Sequence, residues 1–172
     1  MSTRWTESLQ QRAARIRLLL CDVDGVLTDG GLFYSGDDSF AVRFDVKDGL
    51  GLVLARKAGL ITGIISARQH PEAERRGRDL GLSEIHLAVE DKRVVLDEIL
   101  TRHGMAPEEC CYIGDDLVDL SVMAAVGLPV AVHDAVDAVQ RAAAYITTRP
   151  GGRGAVREVV EHLLAERSRA TP

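Results

Sequence analysis

The feature that most constrains this 172-residue chain is a repeated alternation of two kinds of pattern. Short apolar runs at 17–23, 61–66, 85–89, 110–114, 129–132 and 145–147 are separated by helical patterns at 49–58, 71–80, 92–103, 117–126, 136–141 and 154–166. Near-continuous hydrophobic runs of this length suit strands covered on both faces. Alternating with helices at this spacing, they imply βαβ units and a parallel sheet, hence a three-layer, Rossmann-like α/β fold. Pro71 suits a first helical turn, and Gly104 followed by Pro107 ends the helical pattern at 92–103. No linker, repeat or low-complexity tract interrupts the chain, so a single domain over 1–172 is expected, with a loose polar tail at about 166–172.

One stretch, about 31–45, breaks this rhythm and reads as two strands around Gly36-Asp37-Asp38, a protruding β-hairpin after the first strand. Phe33, Tyr34, Phe40 and Phe44 lie in it, four of the seven aromatic residues in the chain. Such a hairpin can fold back on its own domain or meet a partner subunit. Its apolar content favours the partner.

The chemistry is legible at the strand ends. In open α/β sheets, ligands bind beyond the carboxyl ends of the strands. The first run ends in Asp22-Val23-Asp24-Gly25, and the fourth ends in Gly114-Asp115-Asp116, with Asp119 following. Each acidic pair alone is compatible with turn or helix capping. Two pairs delivered to one sheet edge repel unless a cation lies between them, and hard oxygen ligands suit Mg²⁺. An EF-hand loop is excluded because Val26 and Leu27 stand where an acid and a glycine are needed. Ser66 closes the second run and Lys92 opens the helix after the third, so both are candidates to hold a phosphoryl group. Their order, with Lys92 ahead of the second acidic cluster, differs from that of response-regulator receivers, where the lysine comes last.

As an ordered set, DVDGVLTDG, Ser66, Lys92 and GDDLVD resemble the four motifs of the haloacid dehalogenase superfamily over about residues 17–132. Three further segments are similar to the 3-deoxy-D-manno-octulosonate 8-phosphate (KDO 8-phosphate) phosphatase family: Asp29-Gly30, Val46-Lys47-Asp48-Gly49, and residues 149–158 with Gly151-Gly152-Arg153-Gly154. The resemblance implies a Mg²⁺-dependent phosphatase that releases KDO for lipopolysaccharide biosynthesis. Asp22 would be the nucleophile and Asp24 the general acid and base. Asp22, Asp115 and the Asp24 backbone carbonyl would hold the metal, with Asp116 and Asp119 behind them, while Ser66 and Lys92 neutralise the phosphoryl oxygens. Lys47, Asp48, Arg68 and Arg153 are the candidates for substrate binding. One departure is Ala67, where many relatives have glycine; alanine keeps the backbone N–H but loses freedom in φ.

The spacing leaves no room for a separate cap domain between the motifs, so a capless enzyme is expected. The resemblance implies a homotetramer in which the hairpin and the C-terminal segment cover neighbouring sites. Two alternatives share the motifs: a phosphatase for another acidic sugar phosphate such as a nonulosonate 9-phosphate, and a non-catalytic partner module of a sugar nucleotidyltransferase.

Composition refines the picture. The net charge of -5 argues against nucleic acid, which needs a basic face. Asp22, Asp24, Asp115, Asp116 and Asp119 alone account for that excess of acids, so the acidity is a concentrated cation site that a bound metal opens to anions. Cys21, Cys110 and Cys111 show no metal-ligand spacing and read as free thiols. The five histidines read as surface or loop residues. No apolar run is long enough for a membrane span, and the N-terminal stretch lacks the core of a signal peptide, so a soluble cytoplasmic protein is expected.

Overall fold

The computed structural model describes residues 4–34 and 40–170. Six parallel strands form the central sheet: β1 (Leu18–Cys21), β4 (Ile61–Ile65), β5 (Glu84–His86), β6 (Cys110–Gly114), β7 (Leu128–Ala131) and β8 (Tyr145–Ile146). Their spatial order is β5-β4-β1-β6-β7-β8. The first strand is therefore central, with Leu18 paired to Ile61 on one side and Cys110 on the other. All residues of β1, β6 and β7 are buried, which is why they read as continuous apolar runs.

Helices cover both faces. α2 (Val46–Lys57) packs on α7 (Ala155–Ala170), and this layer is extended by α1 (Glu7–Ala13) and α3 (Pro71–Leu80). The other layer holds α4 (Lys92–His103), α5 (Leu120–Met123) and α6 (Asp137–Ala142). α1 was not anticipated; the Thr6 hydroxyl caps it by accepting from the Leu9 N–H, and Leu9 and Ala13 are its buried face. α2 starts three residues earlier than its pattern suggests because Asp45 accepts from the Lys47 N–H at 2.7 Å. The expected tail is instead helix through Ala170: Arg167 reaches back to the carbonyls of Ile16 and Ala58, tying the last turns to the body.

The hairpin is present as β2 (Phe33–Tyr34) and β3 (Phe40–Ala41), paired antiparallel, with Thr28 bridging Phe44 below it. Its expected turn, Gly36-Asp37-Asp38, lies outside the described residues. The aromatic residues divide in two directions. Phe33 and Tyr34 are 66% and 76% exposed, whereas Phe40 faces His70 and Phe44 packs against the core beneath Arg76.

Candidate active site

β1 and β6 are adjacent, so their carboxyl ends bring Asp22, Asp24, Asp115 and Asp116 to one mouth, and β4 adds Ser66 beside them. These residues, with Ala67, Arg68 and Val118, line a cleft of about 290 Å³. Gly25 is required here twice over: it holds φ +84°, and a Cβ would run into the Asp115 carboxylate.

A buried charge network lies at the floor of the cleft. Lys92 Nζ is 2.9 Å from Asp22 Oδ1 and 2.8 Å from Asp119 Oδ1, and all three side chains are nearly solvent-free. Tyr112 donates its hydroxyl to the same Asp119 oxygen at 2.7 Å. The other oxygen, Oδ2, accepts from the backbone N–H groups of Asp115 and Asp116. Asp119 is thus fully engaged in shaping the loop after β6 and holding Lys92. Asp116 caps the short 3₁₀ turn Leu117–Asp119 by accepting from the Leu117 N–H, and it lines the cleft.

Asp24 and Asp115 are the cleft carboxylates with buried oxygens that lack a hydrogen-bond partner, whereas Asp22 Oδ1 also accepts from the Val23 N–H at 2.7 Å. Asp22, Asp115 and Asp119 each bring an oxygen within 4.8 Å of the others. Burial pushes the Asp22 carboxyl up to about 6, with Lys92 opposing it and Asp119 adding to it. Burial, then the charges of Asp22, Asp119 and Asp116, push Asp115 up to about 8. Asp115 Oδ1 is buried with no hydrogen-bond partner. An orphaned carboxylate oxygen facing another carboxylate calls for a cation, and an all-oxygen donor set suits Mg²⁺, so these residues fit the expected metal.

The second motif is held by backbone pairing between the loops after β4 and β5. Ser66 Oγ accepts from the Arg68 N–H at 3.2 Å, and the N–H groups of Ala88 and Val89 donate to the carbonyls of Arg68 and Ser66. Ala88 takes φ +54°, a left-handed conformation rare for alanine. Arg68 lies along the cleft with Nε 3.9 Å from Asp24 Oδ2 and its guanidinium over the Phe40 ring.

The remaining substrate-binding expectations fare differently. Asp48 is buried and its two oxygens accept from the N–H groups of Gly154 and Arg157 at 3.0 and 2.9 Å, so it caps α7 and does not face the cleft. Lys47 lines a separate depression with Arg149 and Arg157. Arg153 is exposed and pairs with Asp29 at 3.4 Å, again outside the cleft lining. The Gly-rich turn does work for the site, but through backbone: the Gly152 N–H donates to the Val26 carbonyl, and the Gly151 N–H to Asp134. Gly152, at φ +61°, lies so close to Thr28 that a Cβ would strike its backbone. Residues 151–154 therefore brace the loop that carries Asp24 and Gly25.

Several participants were missed. Tyr112 read only as a strand residue between its neighbours. His70 lies in the loop before α3, as a loop reading allows, but is fully buried beside Asp24; His86 and His103, half-buried, both bond Glu84, and His162 stacks on Trp5.

Such a sheet, with acidic pairs from two neighbouring strands, a strand-end serine and a buried lysine at one mouth, defines a hydrolase of the haloacid dehalogenase-like class. A family model described as haloacid dehalogenase-like hydrolase matches residues 81–158. The Yersinia pestis protein 3-deoxy-D-manno-octulosonate 8-phosphate phosphatase KdsC is 44% identical over 155 residues, spanning 90% of this chain and 82% of that one. Its counterpart in Escherichia coli K12 is 42% identical over 154 residues, spanning 89% and 81%. The crystal structure of the Moraxella catarrhalis phosphatase, in complex with magnesium ion, phosphate ion and KDO, superposes with a TM-score of 0.90 at 37% identity, covering 92% of this chain and 91% of that one. The chain belongs to the 3-deoxy-D-manno-octulosonate 8-phosphate phosphatase family.

Proposed function

We propose that the protein hydrolyses KDO 8-phosphate to KDO and inorganic phosphate in the cytoplasm, using Asp22 as nucleophile. The observation that carries this reading is the pairing of Asp22 with Lys92 at 2.9 Å beside the orphaned Asp115 oxygen. Mg²⁺, held by Asp22 and Asp115, supplies charge neutralisation of the phosphoryl oxygens when bound. The Asp22 carboxylate attacks phosphorus in line, forming a new O–P bond as the bond to the sugar oxygen breaks. Asp24 delivers its proton to the leaving alkoxide, then takes one from the water that cleaves the aspartyl-phosphate. Lys92 holds Asp22 in its attacking position, while Ser66 and the backbone that follows it receive phosphoryl oxygens. Arg68, at the rim, is the side chain best placed to meet the sugar carboxylate.

The cleft is open above, and Phe33 and Tyr34 stand exposed on the hairpin beside it. This supports assembly into a homotetramer in which the hairpin of one subunit helps cover the site of another. Among the described residues no helix is long and apolar enough to cross a membrane, and the three cysteines are free and buried, in keeping with a reducing compartment.

The test is a panel of sugar phosphates scored by kcat/KM with Mg²⁺ and with a chelator. The reading predicts that KDO 8-phosphate leads the panel, that chelator abolishes release, and that Asp22→Asn is inactive but folded. A higher value for a nonulosonate 9-phosphate would reassign the substrate, and substantial activity in Asp22→Asn would overturn the nucleophile.

A further inference from the structure

The proposed general acid and base, Asp24, is short of partners. Its two carboxylate oxygens are buried, and neither accepts a hydrogen bond. Two cationic or donor groups come near. Arg68 Nε lies 3.9 Å from Oδ2, but that side chain is 43% exposed and leans on Phe40. His70 Nε2 lies closer, at 3.6 Å from the same oxygen, and is itself buried without a hydrogen-bond partner.

His70 cannot easily turn away. It is the N-cap of α3, and its Nδ1 accepts from the Ala73 N–H at 3.3 Å. Pro71 follows it at the first helical position, and the Phe40 ring closes over it at 6.2 Å. Because Nδ1 presents a lone pair to Ala73, the neutral ring carries its proton on Nε2, the nitrogen aimed at Asp24. The helix cap therefore sets the tautomer, and the tautomer supplies a donor to the carboxyl.

We infer that His70 is a positioning residue for proton transfer, whose Nε2–H steadies Asp24 Oδ2 and leaves Oδ1 to carry the transferred proton. The inference rests on Asp24 being the general acid. When Asp24 gives its proton to the leaving alkoxide, the charge left on the carboxylate is met by a donor already in place. The gap of 3.6 Å is longer than a formed hydrogen bond, so the contact tightens as that charge develops.

The role predicts a dependence on the leaving group. An alkoxide needs its proton during departure, whereas a nitrophenolate leaves without one. His70→Ser keeps an oxygen to cap α3 but lacks a donor that reaches Asp24. With Mg²⁺ present, kcat/KM for a primary alkyl phosphate should fall about 10- to 100-fold in His70→Ser, within the range of general acid catalysis. The same variant should lose less than about 3-fold on 4-nitrophenyl phosphate, and Asp24→Asn should show the same selectivity more strongly. His70→Gln, which restores an N–H at greater reach, should recover part of the alkyl phosphate rate. Should His70→Ser fail to fold, His70→Asn carries the same test, since it also caps and is also too short. Equal losses on both substrates, or none, in the His70 variant while Asp24→Asn remains selective would overturn the positioning role. Equal losses in Asp24→Asn would instead overturn the assignment of Asp24 as the acid.

Discussion

Asp48 offers the sharpest separation between a residue that binds substrate and one that builds the site. Its carboxylate accepts from the Gly154 N–H at 3.0 Å and the Arg157 N–H at 2.9 Å, and the residue is buried. Gly154 immediately precedes α7 and Arg157 lies in its first turn, where backbone N–H groups have no partner within the helix. A hydrogen bond to a charged acceptor contributes roughly 1.5–3 kcal/mol, so the pair is worth about 3–5 kcal/mol once the burial that pushes the Asp48 carboxyl up is allowed for. Asp48→Ala should lower stability by about that amount, and Asp48→Asn, which keeps one acceptor oxygen, by about 1–2 kcal/mol. Urea unfolding followed by circular dichroism measures both. Because the same turn braces the loop carrying Asp24, kcat should drop in Asp48→Ala while KM changes little. An unchanged urea midpoint with a raised KM would refute the capping argument and restore Asp48 as a substrate ligand.

Three other perturbations test separate parts of the molecule. An acid whose folded value is raised disfavours the folded state as pH rises, so without metal the Asp115 contribution, full below its unfolded value, is lost as pH climbs to about 8. Asp115→Asn should therefore stabilise the metal-free protein at pH 8.5 by roughly 2–4 kcal/mol, allowing for solvent access and sharing with neighbouring acids, and abolish the Mg²⁺-induced rise in melting temperature. Glu84 behaves in the opposite sense: burial would raise its carboxyl, but hydrogen bonds from His86, His103 and Arg102 outweigh it and hold it down. Its contribution is present above the usual glutamate range and lost as pH falls below it, so Glu84→Gln should flatten the acid limb of a melting-temperature profile between pH 6 and 3.5. Replacing both Phe33 and Tyr34 by serine should leave the fold intact and lower the molecular mass seen by light scattering, since their exposure places them outside the core.

The sheet was legible because β1, β6 and β7 are buried on both faces and admit only apolar residues, so sequence and structure carry the same mark. The acidic pairs were legible only as a set, since either alone could cap a turn or a helix, but two pairs at one sheet edge repel unless a cation lies between them. The capping contacts of Asp48 were not legible because its partners lie 106 and 109 residues away, and no local pattern distinguishes an acid that caps a distant helix from one that binds substrate. His70 shows both halves of the problem. Its place before Pro71 marks a helix start, but the direction of its second nitrogen depends on how β1 and β4 converge. The short α1 hid because a seven-residue helix with two buried positions has too little periodicity to stand out.

Lys92 takes on a different role once its surroundings are known. Read as a helix-start cation, it is a partner for phosphate; in the structure it is spent on Asp22 and Asp119 and almost closed to solvent. Even with that cation at 2.9 Å, burial leaves the Asp22 carboxyl raised to about 6. Without it, only the Val23 N–H would oppose burial and the charge of Asp119, which shifts Asp22 further toward its protonated form, whereas only the ionised form attacks phosphorus. Lys92→Met should consequently cost more than the loss of one phosphate contact, with kcat/KM down by at least about 100-fold at pH 7 and its acid limb moved upward. Partial recovery of the rate at higher pH is the signature of a lysine that ionises the nucleophile. A uniform loss across pH would show that it acts on the phosphate alone.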